Sequence, residues 1–349
     1  MSKRKTLFAS NVAYYPSIGG SEMVLQRILE GVKDLFDDVA VMVPLSDKED
    51  YEVNEIRVLK YTRKRLWPLV VRERPTIYFP NMVHSILTYQ NIGFVSQFAG
   101  ATVVNMVGGY EAGTTLKFRK RMLDNVARHA DAAVHVDPLS TEYLIDRAIS
   151  PGIPFRFITQ GLNFGELGKL KGVEAQPYFV FAHNLWHWKG VEVFLEQVVS
   201  ALPQTRFVII ASDKSGDAIA PAQDRAKSLS NVTLHLGLPR EEFLHTLAAS
   251  SGVISTSRIE GAQPNILLES GFLGVPYLSL CPGQNYGHYP HVEMYRSPEE
   301  IVRRIQETSG SFREIKREAL QRAQTQFSAP EYGWASVIQQ FRNLFQSYL

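Results

Sequence analysis

The feature that most constrains the fold of this chain is an alternation of short apolar strands with amphipathic helices, which runs through the first half and starts again in the second. The chain opens with a buried-type strand at 6–10, a Gly-Gly turn, a helix over 22–35 and a strand at 39–43. Further strands are predicted at 76–79, 102–107, 132–136, 155–159, 178–182, 207–211, 232–236, 253–256 and 277–280, and further helices at 191–202, 221–229, 241–249, 265–273, from 298 and over 331–349. Elements that alternate in this way form parallel sheets with helices on both faces. The sequence therefore predicts an α/β protein with two such sheets.

The length of the chain and the restart of the pattern predict two domains. At 349 residues the chain is long for a single core. A Gly- and charge-rich stretch at 164–176 separates the two halves. We expect a first domain over 1–165, a second over 166–328 and a C-terminal segment over 329–349. The two domains should be doubly wound, Rossmann-like units that face a central cleft.

The composition argues against several classes of protein. A hydrophobic content of 45%, a charged content of 21% and a net charge of +2 are ordinary for a globular protein, and the charge is too small to indicate nucleic acid binding. The one cysteine, Cys281, cannot form an internal disulfide and fits a reducing compartment. No window approaches the ~18 apolar residues of a membrane span, and the N-terminal apolar run is too short for a signal peptide. We therefore expect a cytoplasmic protein.

The strongest candidate site is the segment SRIEGAQPNILLESGFLGVP at 257–276. It follows an apolar strand, and its short Gly/Pro loop leads into an apolar helix. The free N–H groups at such a helix start bind phosphates and hydroxyls, and Gly261 leaves room for a ligand to approach the backbone. Glu269 suits a ribose diol, because a carboxylate can accept two hydrogen bonds. The alternative is a plain connection in which Glu260 and Glu269 are solvated.

A second candidate is the segment FAHNLWHWKG at 181–190, between a strand and a helix. Lys189 lies just before the helix, where a cation can neutralise a phosphate. His183 and His187 have no third ligand nearby, so their spacing does not indicate a zinc site. The alternative is that the tryptophans pack the loop and the histidines are solvated.

Two weaker signals lie in the first half. The segment PSIGGSE at 16–22 is a Gly-Gly turn at a helix start, but it lacks the G-x-G-x-x-G pattern of dinucleotide binding, and the chain has no Asp-x-Asp for a metal-bridged diphosphate. The basic and aromatic run KYTRKRLWPLVVRER at 60–74 and the cluster KFRKRM at 117–122 suit an anionic membrane surface. A solvated helix face is the plainer alternative, and no nucleic-acid-binding module is visible.

Four motifs together make the chain resemble the retaining glycosyltransferases of family 4, which use nucleotide-sugars and have the GT-B fold. The family's opening iGG-x-E loop is matched by IGGSE at 18–22, its v-i-p-n-G-v-D junction by FITQGLN at 157–163, and its n-V-x-f-l-G segment by NVTLHLG at 231–237. The family pattern S-R-x-E-G-x-P-N-x-L-L-E-x-x-x-x-G-x-P is nearly complete at 257–276. The resemblance covers nearly the whole length of the chain.

The resemblance implies roles for particular residues. Glu269 would bind the donor ribose, Lys189 would bind the diphosphate, and Glu260 would line the donor sugar. The catalytic residues would be Glu260, Lys189 and Glu111. Glu111, in the segment VGGYE at 107–111, would take part in acceptor handling. The remaining donor-binding residues would be Gly19, Gly20, Asn184, Gly261, Ala262, Gln263, Pro264 and Asn265. The C-terminal helix within 329–349 would pack back on the N-terminal domain, and no metal or other cofactor is expected.

Three departures from the family pattern bear on the site. Eight residues separate Glu260 from Glu269, whereas the family has seven. Asn184 stands where the family has a phosphate-binding arginine, whose bidentate cation an amide cannot replace. His183 and His187 are candidates to supply the missing charge. Many members also carry a histidine where this chain has VGGYE.

The resemblance implies a retaining hexosyltransferase that moves a sugar from a nucleoside-diphosphate sugar to a hydroxyl of a glycan, lipid-linked or small-molecule acceptor, in polysaccharide or glycoconjugate biosynthesis. The C-terminal domain would hold the donor. The basic and aromatic composition of 60–74, not the resemblance, predicts contact with the inner membrane face. An alternative is a non-catalytic GT-B partner subunit that binds a nucleotide or glycan, which Asn184 and the longer glutamate spacing favour. A nucleotide-sugar 2-epimerase and a phosphorylase are further alternatives; the segment 257–276 argues against the first, and the lack of an obvious cofactor-binding lysine site against the second.

Overall fold

The chain forms two compact units. The computed structural model describes residues 4–11, 14, 20–44, 49–81, 86–106, 116–212, 216–258, 260–280, 286–308 and 310–349. Unit 1 comprises Met1–Gly161, Gly261–Gln263 and Trp334–Leu349, and unit 2 comprises Leu162–Glu260 and Pro264–Gly333. Three residues singled out from the sequence, Gly19, Glu111 and Cys281, lie outside the described residues.

Unit 1 is built on a mainly parallel sheet. Its strands are β1 Thr6–Ser10, β2 Asp38–Val43, β3 Tyr51–Val53, β4 Ile56–Lys60, β5 Ile77–Pro80, β6 Ala101–Asn105, β7 Ala132–His135 and β8 Phe155–Phe157. Its helices are α1 Gly20–Val32, α2 Arg63–Glu73, α3 Ile86–Val95, α4 Leu116–His129, α5 Thr141–Ile149 and α13 Trp334–Gln346. The strand order is β3-β4-β2-β1-β5-β6-β7-β8, and each neighbouring pair is parallel except β3 with β4.

The sheet of unit 1 buries both of its faces because its central strands are continuous apolar runs. Successive side chains of a strand point to opposite faces, so Leu7 lies in one core cluster and Phe8 in the other. The C-terminal helix α13 closes the first of these clusters. Its Phe341 and Phe345 meet Phe79 of β5 edge to face, with ring centroids 5.8 and 5.2 Å apart.

Unit 2 has a parallel sheet in the strand order of a doubly wound Rossmann-like fold. Its strands are β9 Tyr178–Ala182, β10 Arg206–Ala211, β11 Val232–Leu236, β12 Gly252–Ser255, β13 Tyr277–Ser279 and β14 Val292–Met294. Its helices are α6 Phe164–Gly168, α7 Val191–Val193 continuing as a π-helical segment Phe194–Val199, α8 Ile219–Lys227, α9 Arg240–Ala249, α10 Asn265–Leu273, α11 Pro298–Glu307 and α12 Phe312–Phe327. The order β11-β10-β9-β12-β13-β14 corresponds to 3-2-1-4-5-6 within the unit.

The predicted α/β fold with two parallel-sheet domains is confirmed. In each unit the direction of the strand order reverses beside the first strand. The reversal lies between β1 and β5 in unit 1 and between β9 and β12 in unit 2. Among the described residues, no helix is both long enough and apolar enough to cross a membrane.

Candidate active site

The reversal point of unit 2 brings the two strongest sequence candidates together. In open α/β sheets, ligands bind outside the carboxyl ends of the strands at the point where the strand order reverses. In unit 2 this point lies between the neighbouring parallel strands β9 and β12. The segment with Lys189 follows β9, and the segment with Glu260 follows β12. Sequence-distant residues therefore meet at the edge of the sheet where a ligand is expected.

A tight turn fixes the position of Lys189. Residues His187–Lys189 form a single 3-10 turn, which ends at Gly190 with φ 73° and ψ 29°, a left-handed conformation that glycine adopts without strain. The segment after β12 holds the turn from the other side. The Thr256 hydroxyl donates to the carbonyl of Gly190 at 2.7 Å, and the amide of Arg258 donates to the carbonyl of Trp188 at 2.8 Å.

Lys189 and Glu260 form an ion pair at this edge. The Lys189 Nζ lies 2.7 Å from Glu260 Oε2, and the two side chains are 19% and 3% exposed. The Ser257 hydroxyl donates to Glu260 Oε1 at 2.5 Å. Burial alone would raise the pKa of Glu260, but the Lys189 ammonium and the surrounding polar groups hold its pKa below the usual range. Glu260 is therefore a carboxylate at neutral pH, and one face of Lys189 remains accessible.

His183 lies against the same carboxylate but is not a cation. Its Nδ1 is 3.2 Å from Glu260 Oε1, and burial lowers the pKa of the imidazole to about 4. The ring is therefore neutral at pH 7. Its Nε2 has no hydrogen-bond partner among the described residues. His187 is exposed and pairs with Glu192. We therefore do not expect His183 to carry the charge missing at Asn184 at neutral pH, and the hypothesis that His187 supplies it stays a prediction.

Glu269 has a partner that the sequence analysis missed. Glu269 lies in the second turn of α10 and is buried, and Arg240, the first residue of α9, approaches its Oε1 to 2.6 Å. Arg240 also lies 3.6 Å from Glu166. Burial raises the pKa of Glu269, and Arg240 only partly offsets that effect. Arg240 follows β11 and its glycine turn, a position at the carboxyl edge of the sheet that could have identified it.

In the loop between the two glutamates, residues Gly261–Gln263 are assigned to unit 1. Ala262 and Gln263 are buried there. The side-chain oxygen of Gln263 accepts hydrogen bonds from the Thr159 hydroxyl and the Gln160 amide, each at 2.8 Å. These hydrogen bonds fix the Gln263 side chain within unit 1. Pro264, with an extended backbone and no side-chain capping hydrogen bond, occupies the N-cap position of α10.

The remaining candidates occupy separate positions. Asn265 is the first residue of α10, and Gly20 is the first residue of α1 in unit 1. Asn184 is partly buried, and its carbonyl accepts from the amide of Trp186 at 2.9 Å. Among the described residues, no group of three or more His, Cys, Asp and Glu side chains could hold a metal ion.

Comparison with solved structures identifies the architecture. No protein-family model matches the chain, and no curated protein matches its sequence significantly. Anabaena HepE in complex with UDP-glucose matches 99% of this chain and 100% of its own, with a TM-score of 0.70 and 14% identity. Sucrose-phosphate synthase from Thermosynechococcus elongatus matches 99% of both chains, with a TM-score of 0.67 and 14% identity. WaaG, a glycosyltransferase involved in lipopolysaccharide biosynthesis, matches 97% of this chain and 99% of its own, with a TM-score of 0.63 and 15% identity.

The chain has the GT-B fold. At these identities the likeness shows the fold, and the function has to be argued from the residues of the site.

The charge of Glu260 should make the free energy of unfolding depend on pH in the acidic range. A carboxyl whose folded pKa is lowered stabilises the protein above its unfolded pKa and loses that contribution as the pH falls through the folded value. Glu260→Gln should therefore be less stable than wild type at pH 7. The difference should shrink below about pH 4.3, the ordinary glutamate pKa, because a protonated glutamate and a glutamine are nearly isosteric.

Urea unfolding of both proteins across this pH range measures the difference. Glu307→Gln is the matched control, because Glu307 is exposed at the end of α11. A gap between wild type and Glu260→Gln that stays constant from pH 7 to below the lowered pKa would contradict the assignment.

Arg240 should stabilise the fold through Glu269. Arg240→Ala leaves a buried carboxyl without its partner, and we expect the free energy of unfolding at pH 7 to fall by about 1–3 kcal/mol. Without Arg240 the pKa of Glu269 rises further. A raised carboxyl pKa destabilises the fold as the pH rises above the unfolded value, so the loss should be greater at pH 7 than at pH 4. Denaturant titrations at both pH values test this.

The exposed pair of Arg313 with Glu174 provides the control, with side chains 77% and 56% exposed. Arg313→Ala should change stability by less than about 0.5 kcal/mol. Arg240→Ala combined with Glu269→Gln should recover most of the loss, since no buried charge remains. Equal effects of Arg240→Ala and Arg313→Ala would refute the proposed coupling.

Proposed function

We propose that the protein is a retaining glycosyltransferase that moves a hexosyl group from a nucleoside-diphosphate sugar to an acceptor hydroxyl, in polysaccharide or glycoconjugate biosynthesis. The observation that carries this proposal is the partly accessible Lys189 ammonium, held on Glu260 where β9 and β12 meet at the reversal point of a GT-B unit. In the proposed reaction the bond between C1 of the sugar and the diphosphate oxygen breaks. The acceptor oxygen bonds to C1 on the same face, and its proton leaves with the diphosphate.

Lys189 is suited to stabilise the departing diphosphate. An ammonium has three N–H donors, and Glu260 occupies one of them. The other donors can meet the negative charge that develops on the leaving group. Because Glu260 is buried and both of its oxygens are engaged, we assign it the positioning of Lys189 beneath the donor sugar. Lys189 would then serve in place of a bound metal, and transfer that survives EDTA would agree with this.

Glu269 is suited to bind the ribose of the donor. Burial favours the neutral acid, whereas a carboxylate is the better acceptor for two hydroxyls. Arg240 favours the charged form and fixes the side chain through Oε1. We therefore assign Arg240 the role of a positioning residue for the ribose contact.

The experiment begins with the donor. UDP-, GDP- and ADP-sugars are screened by thermal shift, because a ligand that binds only the folded state raises the melting temperature as its concentration exceeds the dissociation constant. A donor that stabilises the protein is then tested for transfer and hydrolysis, with NMR of the product to read the anomeric configuration. Transfer with inversion would exclude retention. Binding without any turnover would favour the non-catalytic partner subunit.

We also propose that α2 contacts an anionic membrane surface at the inner face, so that the acceptor pool includes lipid-linked glycans. Trp67 and Val71, one helical turn apart, are 60% and 37% exposed. An exposed tryptophan among arginines suits the headgroup region. Sedimentation with phosphatidylglycerol vesicles tests this contact. Binding of Trp67→Ala equal to that of wild type would contradict it.

A further inference from the structure

A cavity lies in unit 1, at the opposite edge of its sheet from the carboxyl ends of the strands. Its volume is about 590 Å³, within the range of small-molecule sites. Thr6 and Asp38 are the first residues of β1 and β2, and Arg74 precedes β5, so the cavity opens at the amino ends of parallel strands. The lining residues are Arg4, Thr6, Asp38, Arg57, Arg72, Glu73 and Arg74.

The lining of this cavity carries excess positive charge. Four guanidinium groups face two carboxylates. Both carboxylates are held by Arg57, whose Nη2 lies 2.5 Å from Asp38 and 2.9 Å from Glu73. Arg57 balances one of the two negative charges, and with the other three arginines the net charge of the lining is positive. Arg4 and Arg72 reach the same carboxylates from the rim, and their side chains are 65% and 67% exposed. The arginines at the rim therefore have donors to spare for an anion.

Arg74 occupies a backbone position that ordinarily belongs to glycine. It ends α2 at φ 41° and ψ 63°, in the left-handed region. The next residue is Pro75, which favours an extended conformation in the residue before it, so Arg74 departs from two local preferences at once. Among the described residues, the Arg74 guanidinium has no ion-pair partner. A strained, exposed arginine at the rim of a cationic cavity indicates a ligand.

We propose that this cavity binds an anion that carries two or more phosphate groups. Guanidinium groups recognise phosphate oxygens through paired N–H donors, and Arg4, Arg72 and Arg74 surround the opening. The site stands apart from the proposed sugar transfer, because it lies in unit 1 at the amino ends of the strands. The phosphates come either from a free phosphorylated small molecule or from a lipid headgroup.

Isothermal titration of the full chain with inorganic pyrophosphate tests the site. Pyrophosphate also suits Lys189, so the quantity of interest is the difference between wild type and Arg74→Gly. We expect Arg74→Gly to weaken one site per chain by about tenfold or more, since a charge-assisted hydrogen bond is lost. Its melting temperature should be equal or higher, because glycine relieves the backbone strain. Arg4→Gln should weaken the same site.

Arg303→Gln is the matched control, since it removes an exposed arginine from α11 of unit 2. It should leave pyrophosphate binding unchanged. Sedimentation with phosphatidylcholine vesicles, with and without cardiolipin, whose headgroup carries two phosphates, separates the two sources of phosphate. Vesicle binding that requires cardiolipin and falls in Arg74→Gly identifies a headgroup; pyrophosphate binding that depends on Arg74 without such vesicle binding identifies a free ligand. If wild type and Arg74→Gly bind both probes equally, or neither binds them, the proposal is overturned.

Discussion

Replacing Lys189 with alanine should lower kcat/KM for sugar transfer by about 10²–10³-fold, the usual cost of removing one group that stabilises charge on a leaving oxygen. Most of the loss should appear in kcat, because the charge on the diphosphate is greatest as the bond to the sugar breaks. Steady-state kinetics with the donor found by thermal shift measures the effect. Lys227→Ala is the matched control, since Lys227 lies in the same unit with its side chain 75% exposed.

The same substitution also affects the fold, and the two effects can be separated. Lys189→Ala leaves Glu260 buried without its cation, which costs stability even if Lys189 has no part in catalysis. In the double variant with Glu260→Gln the buried charge is removed. We expect the double variant to regain most of the lost stability while transfer stays low. Recovery of activity together with stability would show that Lys189 is structural only.

Much of unit 2 could be predicted because its strands are short apolar runs bounded by turn residues. The bounds predicted for the strands at 178–182 and 232–236 and for the helix at 265–273 agree with β9, β11 and α10. These elements are buried on several sides or marked by glycine and proline, so local sequence carries the information. The helix predicted at 191–202 has its start at the right residue, but most of it is π-helical, a feature that the apolar pattern does not encode.

The two strands and the helix described next were not predicted from the sequence, because they depend on contacts with other parts of the chain. Strand β3 pairs with β4 through three residues and is partly exposed, so its apolar pattern is too short to recognise. Strand β14 is equally short and lies at the edge of its sheet. Helix α2 contains Pro68, which ordinarily argues against a helix interior. Position in the sheet, rather than local propensity, decides the two strands.

The residues of the candidate site could be predicted from the sequence, but which of them contact one another could not. The motifs singled out Lys189, Glu260 and Glu269, yet 71 positions separate the first two, and only the adjacency of β9 and β12 brings them together. Arg240 escaped notice because an arginine at a helix start is unremarkable without a buried carboxylate beside it. The neutrality of His183 follows from burial, which a sequence does not report.

Of the substitutions that add one methyl group at the site, Gly190→Ala should destabilise the fold most. The left-handed φ of Gly190 penalises any residue with a Cβ, and the added Cβ would overlap the carbonyl oxygen of Thr256, which is backbone and cannot rotate away. The backbone strain costs about 1–2 kcal/mol, and the overlap costs about 1–3 kcal/mol more. We expect the free energy of unfolding to fall by about 2–5 kcal/mol in total. Denaturant unfolding measures it.

Gly172→Ala isolates the contribution of the overlap. Gly172 has a similar φ of 88°, lies in the same unit and has no atom within 4 Å of an added Cβ among the described residues. Its substitution should therefore cost the backbone strain alone. Because Gly190 follows Lys189 directly, the protein that remains folded in Gly190→Ala should also lose transfer activity, whereas Gly172→Ala should retain it. Equal stability and activity of the two variants would show that the close approach of Gly190 to Thr256 does not hold Lys189 in place.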